Sequence, residues 1–427
     1  MSENQMVVRC VLVKDDLGIA QCVLAANAML DLNSLQTHAQ RKLLPMSNLD
    51  IVKASRGRRL TLVAGSESFY LLPTFVDTSL AGKGSLVLDA RGGTLGALRD
   101  TIHQQGQHVR HLEFAVSAEK LRYDLPDAGE DSKRIQDSIG NFTSLRIKQR
   151  LDETLEIPPL SATADRILQL RANPNATVTE LTSIVEADPS LAAQVVSWAS
   201  SPYYAAPGKI RSVQDAIVRV LGFDLVSNLA VGLILGRSVA LPKEAADGFT
   251  PYWLQAVYCS TAVDALARMM PVSKRPRPGM MYLAGLLHNF GYLILAHSFP
   301  PHFASICRYM EANPAISHVA LENHLIGISR EQISAWLMQA WNMPDEVCIA
   351  LRYQQDGSYQ GSHAVYANLI FVAMRLLRQH GIGDAPPEPV SAALYQQLGL
   401  DLSRCEDAIQ KLVNSSDVRS IADQMAH

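Results

Sequence analysis

The sequence has few cysteines, and none of them is grouped. Its 427 residues include six, with no Cys-x-x-Cys pair and no Cys/His cluster at the spacing of a zinc site. This pattern argues against a disulfide framework and indicates reduced, partly buried thiols in a cytosolic protein. The net charge is only −3. Because neither sign of charge prevails, composition does not indicate strong attraction to nucleic acid.

Long apolar segments and targeting signals are also lacking. The longest apolar run, near 364–377, is interrupted by Asn368 and is too short to span a bilayer. The first five residues, MSENQ, are polar and unlike a secretory signal peptide. We therefore expect a soluble, cytoplasmic protein without a membrane partner.

The sequence motifs of several common enzyme classes are missing. The stretch GKGS at 82–85 lacks the spacing of a P-loop, and Gly92-Gly93 lacks the dinucleotide-binding fingerprint. There is no Gly-x-Ser-x-Gly elbow and no HExxH pair. No cofactor is therefore expected.

Residues 1–124 combine strand and helix patterns. A β-branched run at 7–13, a turn at Asp15-Asp16-Leu17-Gly18 and a second apolar run at 19–24 predict a β-hairpin. A short helix is expected from Leu30, strands at 85–89 and 112–116, and a helix at 95–104 capped by Thr94. This mixture of strands and helices predicts an α+β domain.

Residues 125–155 are predicted to connect this domain to the remainder of the chain. The segment 127–134 is polar, charged and contains glycine, which is typical of an interdomain linker. Apolar residues at helical spacing from Ser144 to Leu155 predict a connecting helix after it.

Residues 156–427 are predicted to form an all-helical bundle. No strand-like alternation competes with the helical pattern in this region. Signals for the start of a helix recur along it. They are Thr177 with Glu180, Asp188 before Pro189, Ser212 with Asp215, Thr250 before Pro251, and Ser329 with Gln332.

A histidine and an amide interrupt the apolar segment YLAGLLHNFGYLIL at 282–295. This pair, His288-Asn289, resembles the HD superfamily of metal-dependent phosphohydrolases, with Asn in place of Asp. The chain is most similar to the HDOD branch, in which metal ligands are commonly lost. Further matches run from about Glu156 to about Gln355: IPPL at 157–160, DPSL at 188–191, ASSPYY at 199–204, AIVRVLG at 216–222 and WNMP at 341–344.

The resemblance implies where the metal ligands of an HD-type hydrolase would stand. They fall on Gln255, His288, Asn289, Arg330, and the pair Tyr353-Gln354. One imidazole alone cannot hold a catalytic divalent ion, amides bind metal weakly, and a guanidinium repels a cation. We therefore expect no catalytic residue and no metal here, and we interpret His288 as a hydrogen-bonded core histidine.

Arg330 allows two interpretations. A guanidinium at a former metal position could bind a small anionic ligand such as a nucleotide or phosphate. The alternative is a surface arginine that pairs with Glu331 or Glu322.

The N-terminal region is similar to the YbaK/prolyl-tRNA-editing fold of aminoacyl-tRNA deacylases. The segments VLAANAMLDL at 23–32, FVDTSL at 75–80 and DARGG at 89–93 carry the resemblance. It implies an N-terminal pocket at Arg9, Asp77, Gly92 and Gly93. The family's pocket lysine aligns with Arg9, which is a poor substitute because its guanidinium is bulkier and forked. Binding of tRNA by this domain is an implication of the same resemblance.

Together, the two resemblances predict a signalling protein of a bacterial type. Its degenerate, non-catalytic HDOD bundle would bind a signalling protein or sense a small ligand, beside a YbaK-like domain with a regulatory role. The first alternative is an aminoacyl-tRNA deacylase acting through residues 1–124. The second alternative is a residual metal-dependent phosphohydrolase.

Overall fold

A computed structural model describes the fold in two compact units. The described residues are 5–47, 50, 72–81, 85–88, 109–117, 119–121, 127–146, 161–201, 204, 208–239, 241–242, 245–246, 249–386 and 388–426. Unit 1 comprises Met1–Leu125, Glu244–Gly248 and Pro301–Leu325. Unit 2 comprises Pro126–Lys243, Phe249–Pro300 and Ile326–His427.

The main element of unit 1 is a mixed β-sheet built on the predicted hairpin. Strands β1 (Gln5–Asp15) and β2 (Gly18–Ala25) pair antiparallel, with Val8 opposite Ala25 and Asp15 opposite Gly18, which confirms the hairpin. Gly18 has a φ of +119°, a conformation that favours glycine. The other strands of this sheet are β4 (Leu44–Pro45), β5 (Thr74–Asp77), β6 (Ser85–Leu88) and β7 (Val109–Leu112).

The sheet order is β4-β1-β2-β5-β7, and β6 also pairs with β1. The pairs β2 with β5, β5 with β7, and β1 with β6 are parallel. A second, two-stranded sheet joins β3 (Met29–Leu30) to β8 (Ala115–Val116). The strand predicted at 112–116 is therefore wrong as a single element, because the chain changes sheets between Leu112 and Ala115.

Helices α11 (Pro300–Ala312) and α12 (His318–Ile326) cover the sheet core of unit 1 over most of their length. Tyr309, Ala312 and Leu321 belong to the same hydrophobic cluster as the buried residues of β1 and β2. The sequence predicted these residues to be helical, and they are. It placed them in the bundle, whereas their apolar side chains lie in the core of unit 1. A sheet needs a second layer to bury its apolar face, and these two helices supply part of it.

Asp31 joins these helices to the N-terminal segment. It caps α1 (Leu32–Ala39) by accepting hydrogen bonds from the backbone N–H groups of Asn33 and Ser34. The Tyr309 hydroxyl donates to Asp31 Oδ1 over 2.6 Å. Four hydrogen bonds therefore lower the pKa of Asp31 despite its burial: from the His324 side chain, from Tyr309, and from the Ser34 backbone and hydroxyl.

Unit 2 is a helical bundle, as the sequence predicts for most of this region. Its first helices are α2 (Asp131–Arg146), α3 (Ala162–Ala172), α4 (Val178–Glu186), α5 (Pro189–Ser200), α6 (Val213–Ala216) and α7 (Phe223–Ser238). Next come α8 (Tyr252–Met269), α9 (Pro278–Leu287) and α10 (Phe290–Ser298). The last are α13 (Arg330–Ala340), α14 (Asp345–Tyr353), α15 (Ala364–Gln379), α16 (Ala392–Leu398), α17 (Leu402–Val413) and α18 (Ser416–Ala426).

The predicted caps at Thr177, Asp188, Ser212 and Ser329 are confirmed, whereas α8 begins at Tyr252 without a side-chain cap from Thr250. Thr177 and Glu180 form a capping box, and Ser329 and Gln332 form another. Asp188 caps α5 by accepting from Ser190 and Leu191, with Pro189 at the first helical position. These side chains satisfy N–H groups that a helix start leaves unpaired.

The segment predicted as a linker contains the first helix of unit 2. Asp131 opens α2, and only 6% of it is exposed. Its carboxylate pairs with the guanidinium of Arg352 and accepts a hydrogen bond of 2.7 Å from Gln332 Nε2. A charged residue in a polar segment is therefore buried, because its partners come from α13 and α14.

One segment of the described residues, Gly279–Ser298, is long and apolar enough to cross a membrane by length and composition. Its most apolar part is 94% buried inside the protein. The segment comprises α9 and α10, whose apolar side chains are in the core of unit 2.

Candidate functional site

His288 and Asn289 lie at the break between α9 and α10. Asn289 has φ −108° and ψ 21°, which ends one helix and starts the next. Both residues are 3% exposed. Gly291, two residues after Asn289, lies against α13. A Cβ there would be 2.1 Å from the carbonyl oxygen of Arg330. The absence of a side chain at Gly291 therefore brings Arg330 close to the His288-Asn289 pair.

The ring of His288 is held as a neutral tautomer. Its Nδ1 lies 2.7 Å from the carbonyl oxygen of Gly285, so Nδ1 carries the proton and donates it. Nε2 is then an acceptor, and the Gln255 Nε2 amide donates to it over 3.2 Å. Burial is the main cause that lowers the pKa of His288 to about 4, with a smaller lowering by Arg330. Gly285, Asp384 and Glu331 raise it without offsetting burial.

Arg330 is buried beside Asn289 and is only 2% exposed. Its Nη1 donates to Asn289 Oδ1 over 3.1 Å and to Asp384 Oδ2 over 2.8 Å. The guanidinium also lies over the ring of Tyr292, 5.3 Å from its centroid. The sequence interpretation of Arg330 as a surface residue is wrong in its burial, and the carboxylate of Asp384 pairs with it at this site.

Asp384 is the residue of this site that the sequence does not indicate. Its two oxygens accept from Arg330 Nη1 and, over 3.4 Å, from Gln255 Nε2. The side chains of Gln255, His288, Asn289, Arg330 and Asp384 therefore form one connected set of hydrogen bonds, here called the His288 network. Asp384 begins a proline-rich stretch of the sequence that runs to Pro389. Only Gly381 and Gly383, both with positive φ, mark the turn that brings this carboxylate inward.

The predicted pair Tyr353-Gln354 is divided by the structure. Gln354 is buried, and its Nε2 donates to the carbonyl oxygens of His288, over 2.7 Å, and Leu351. It thus supports the backbone of the His288 network. Tyr353 stacks on Tyr359 with ring centroids 3.9 Å apart, and no contact with the network is seen for it within the described residues.

The residues of the His288 network do not fit a divalent metal ion. At the central pair of the HD-type site, His288 Nε2 and Asn289 Oδ1 both accept hydrogen bonds from nitrogen donors. One donor belongs to a guanidinium, whose positive charge opposes a cation nearby. Across the part of the chain that the structure describes, no group of three or more His, Cys, Asp or Glu is placed to hold a metal.

The predicted N-terminal pocket residues have structural contacts in unit 1. Arg9 donates to the carbonyl oxygens of Ala312, over 2.8 Å, and Ala28, over 3.1 Å, and to Asn313 Oδ1. Asp77 accepts from the backbone N–H groups of Ser79, Phe114 and Ala115 at 2.8–2.9 Å. Asp77 therefore caps a turn and fixes the segment before β8. Gly92 and Gly93 lie outside the described residues.

Comparisons with known proteins point to one family. The family model of the HDOD domain matches residues 157–357. A crystal structure of a protein from Marinobacter aquaeolei VT8, provisionally assigned to signal transduction, is 41% identical. The alignment covers 99% of this chain and 94% of that one, with a TM-score of 0.87.

More distant relatives match part of the chain. An HDOD domain protein with unknown function from Geobacter sulfurreducens is 19% identical, with a TM-score of 0.54. The alignment covers 69% of this chain and 98% of that one. An uncharacterized curated protein of Treponema pallidum (strain Nichols) is 21% identical over 210 residues, or 49% of this chain. The chain spans 39% of the length of that relative.

Proposed function

We propose that this chain, which belongs to the HDOD family, is a regulatory signalling protein whose HDOD domain acts by binding and not by hydrolysis. One observation carries the proposal that the domain acts by binding and not by hydrolysis. Arg330 donates both to Asn289, at the central ligand pair of an HD-type site, and to the carboxylate of Asp384. The Marinobacter protein of similar length, provisionally assigned to signal transduction, supports the regulatory signalling role.

The electrostatics of the His288 network support a binding role. A catalytic metal site needs several anionic or imidazole ligands that point at one open position. Here the carboxylate of Asp384 is paired with the guanidinium of Arg330, and the imidazole of His288 accepts from an amide. A hydrolase of this class activates water on a metal. The network offers no set of residues that could do so.

For unit 1 we propose a binding or regulatory role beside the HDOD domain. Its resemblance to a deacylase fold rests on sequence segments alone. Both described residues of the implied pocket, Arg9 and Asp77, are engaged in hydrogen bonds that hold backbone. Because Tyr309 and Asn313 complete this unit from far along the chain, any deacylation assay should use the full chain. We further propose that this role is carried out in the cytoplasm, which the scattered, free cysteines support.

A hydrolysis assay tests the proposal. The full chain is incubated with bis(p-nitrophenyl) phosphate or p-nitrophenyl phosphate, with Mn²⁺, Fe²⁺, Ni²⁺ or Zn²⁺ added in turn. We expect no metal-dependent turnover, because the network lacks a ligand set. The variant His288→Gln serves as the matched control and should show the same background. Metal-dependent turnover that disappears in His288→Gln contradicts the proposal.

A further inference from the structure

We propose that Asp384 occupies an oxyanion-binding position on Arg330, and that a small phosphate- or carboxylate-bearing ligand displaces it. This inference rests on the proposed function, because a binding domain needs a ligand or partner position. It adds the chemistry of the ligand and the means by which its binding changes the protein. Asp384 thereby competes with the ligand for Arg330.

The two members of the ion pair differ in their access to solvent. The side chain of Arg330 is 3% exposed, whereas that of Asp384 is 12% exposed. Arg330 belongs to the packed helix α13, and Asp384 follows two glycines with positive φ, Gly381 and Gly383. A ligand from solution therefore meets Asp384 before it meets Arg330, and the loop is the member that can leave.

The carboxylate of Asp384 shows which chemistry Arg330 accepts. A guanidinium fork matches carboxylate and phosphate groups alike. A further donor is available beside it: Asn289 Nδ2 is buried and has no hydrogen-bond partner among the described residues. A buried donor without a partner is costly, and an oxyanion with an additional oxygen would satisfy it. Gln255 Oε1 is likewise buried and has no hydrogen-bond partner among the described residues. It is suited to accept a hydrogen bond from a protonated phosphate oxygen or from a water.

The charges of the site favour exchange over simple addition. Asp384 and Glu331 are both close enough to His288 to affect its titration, so the surroundings of Arg330 already hold negative charge. An anion added to these would be repelled by both carboxylates. An anion that replaces the Asp384 carboxylate on Arg330 avoids the repulsion from that carboxylate.

Displacement of Asp384 would release the loop that carries it. The loop is otherwise held by Thr250 Oγ1, which accepts from the Gly383 N–H over 2.8 Å, and by Arg378, which donates to the Gly383 carbonyl. Displacement of Asp384 breaks its side-chain bonds with Arg330 and Gln255 in the network. Ligand occupancy is thus converted into a change of loop conformation, which a partner protein can detect.

Four forms of the full chain test the inference: wild type, Asp384→Asn, Arg330→Gln and the double variant. Binding of inorganic phosphate, pyrophosphate and malonate is measured by calorimetry at matched ionic strength. We expect Asp384→Asn to bind phosphate or malonate about tenfold or more tightly than wild type, because removal of a competitor raises the fraction of open sites. The double variant should not bind. Comparison of malonate with the phosphates distinguishes the two ligand chemistries.

Thermal unfolding gives a second measurement. The same anions should raise the Tm of Asp384→Asn more than that of wild type. Asp131→Asn, which removes the carboxylate from another buried pair, that with Arg352, is the matched control and should gain nothing. Equal shifts in Asp384→Asn and Asp131→Asn, or binding retained in the double variant, overturn the inference.

Hydrogen exchange of the wild-type chain tests the inference even where a variant does not fold. Saturating phosphate or malonate should speed exchange of the Gly383 amide, whose acceptor is Thr250. Unchanged exchange under every anion overturns the inference. Such a failure leaves the proposed function standing, whereas metal-dependent hydrolysis contradicts the proposed function whatever the anions do.

Discussion

Replacement of Asp131 by Asn should lower the free energy of unfolding of unit 2 by about 3–5 kcal/mol, the usual effect of breaking a buried ion pair from one side. Asp131 and Arg352 are 6% and 3% exposed. One carboxylate oxygen pairs with Arg352 Nε, and the other accepts from Arg352 Nη2 over 2.9 Å and from Gln332 Nε2. Asn keeps the shape of the side chain and removes its charge, so the loss reports the ion pair.

Denaturant unfolding of the full chain measures this effect. The control is Arg277→Ala, which removes an ion pair with Glu346 in which the arginine side chain is 74% exposed. An exposed pair contributes about 1 kcal/mol or less. If Asp131→Asn is no more destabilising than Arg277→Ala, the start of α2 is not anchored on α13 and α14 in solution.

The stability of unit 2 should fall as the pH decreases from about 6.5 to about 4, on the order of 3 kcal/mol in total from His288 alone. The ordinary pKa of 6.5 applies to the unfolded chain, and burial lowers the pKa to about 4 in the folded protein. Between these values the unfolded chain binds a proton that the folded protein excludes. A base with a lowered folded pKa therefore favours unfolding as the pH falls through this window.

The difference between wild type and His288→Gln isolates this contribution. Other titrating groups affect both proteins and cancel in the difference. Glutamine does not titrate, so the stability of wild type relative to the variant should decline with decreasing pH and level off below about pH 4. A difference that stays constant over this range indicates that His288 titrates normally and is not enclosed as the structure shows.

Local signals in the sequence predict much of the fold. The hairpin of unit 1 follows from β-branched runs on either side of a turn that ends in glycine. The helix starts at Thr177, Asp188 and Ser329 follow from side chains that cap their own backbone within three residues. In each case the stabilising contact joins residues that are close in sequence.

Contacts between distant segments are what the sequence does not indicate. Tyr309 donates to Asp31, and Asn313 bonds to both backbone polar groups of Leu30, across about 280 residues. Nothing in the helical pattern of α11 distinguishes a helix that packs on a sheet from one that packs in a bundle, because both need one apolar face.

The candidate site was likewise predicted from the sequence only in part. Family resemblance named Gln255, His288, Asn289, Arg330 and Gln354, and the structure brings their polar groups together. Asp384, the partner of Arg330, lies 54 residues later, in a segment with no matching motif. An ion pair of this kind depends on the approach of two elements in space, which residue spacing alone does not express.

Elemental analysis of the full-length protein, purified without chelator, tests the central claim most directly. That claim is that hydrogen bonds from Gln255 and Arg330 replace metal coordination at His288 and Asn289. We predict far less than one equivalent of Mn, Fe, Ni or Zn per chain, unchanged in His288→Gln. One or more equivalents of such a metal, lost in His288→Gln, would contradict the account.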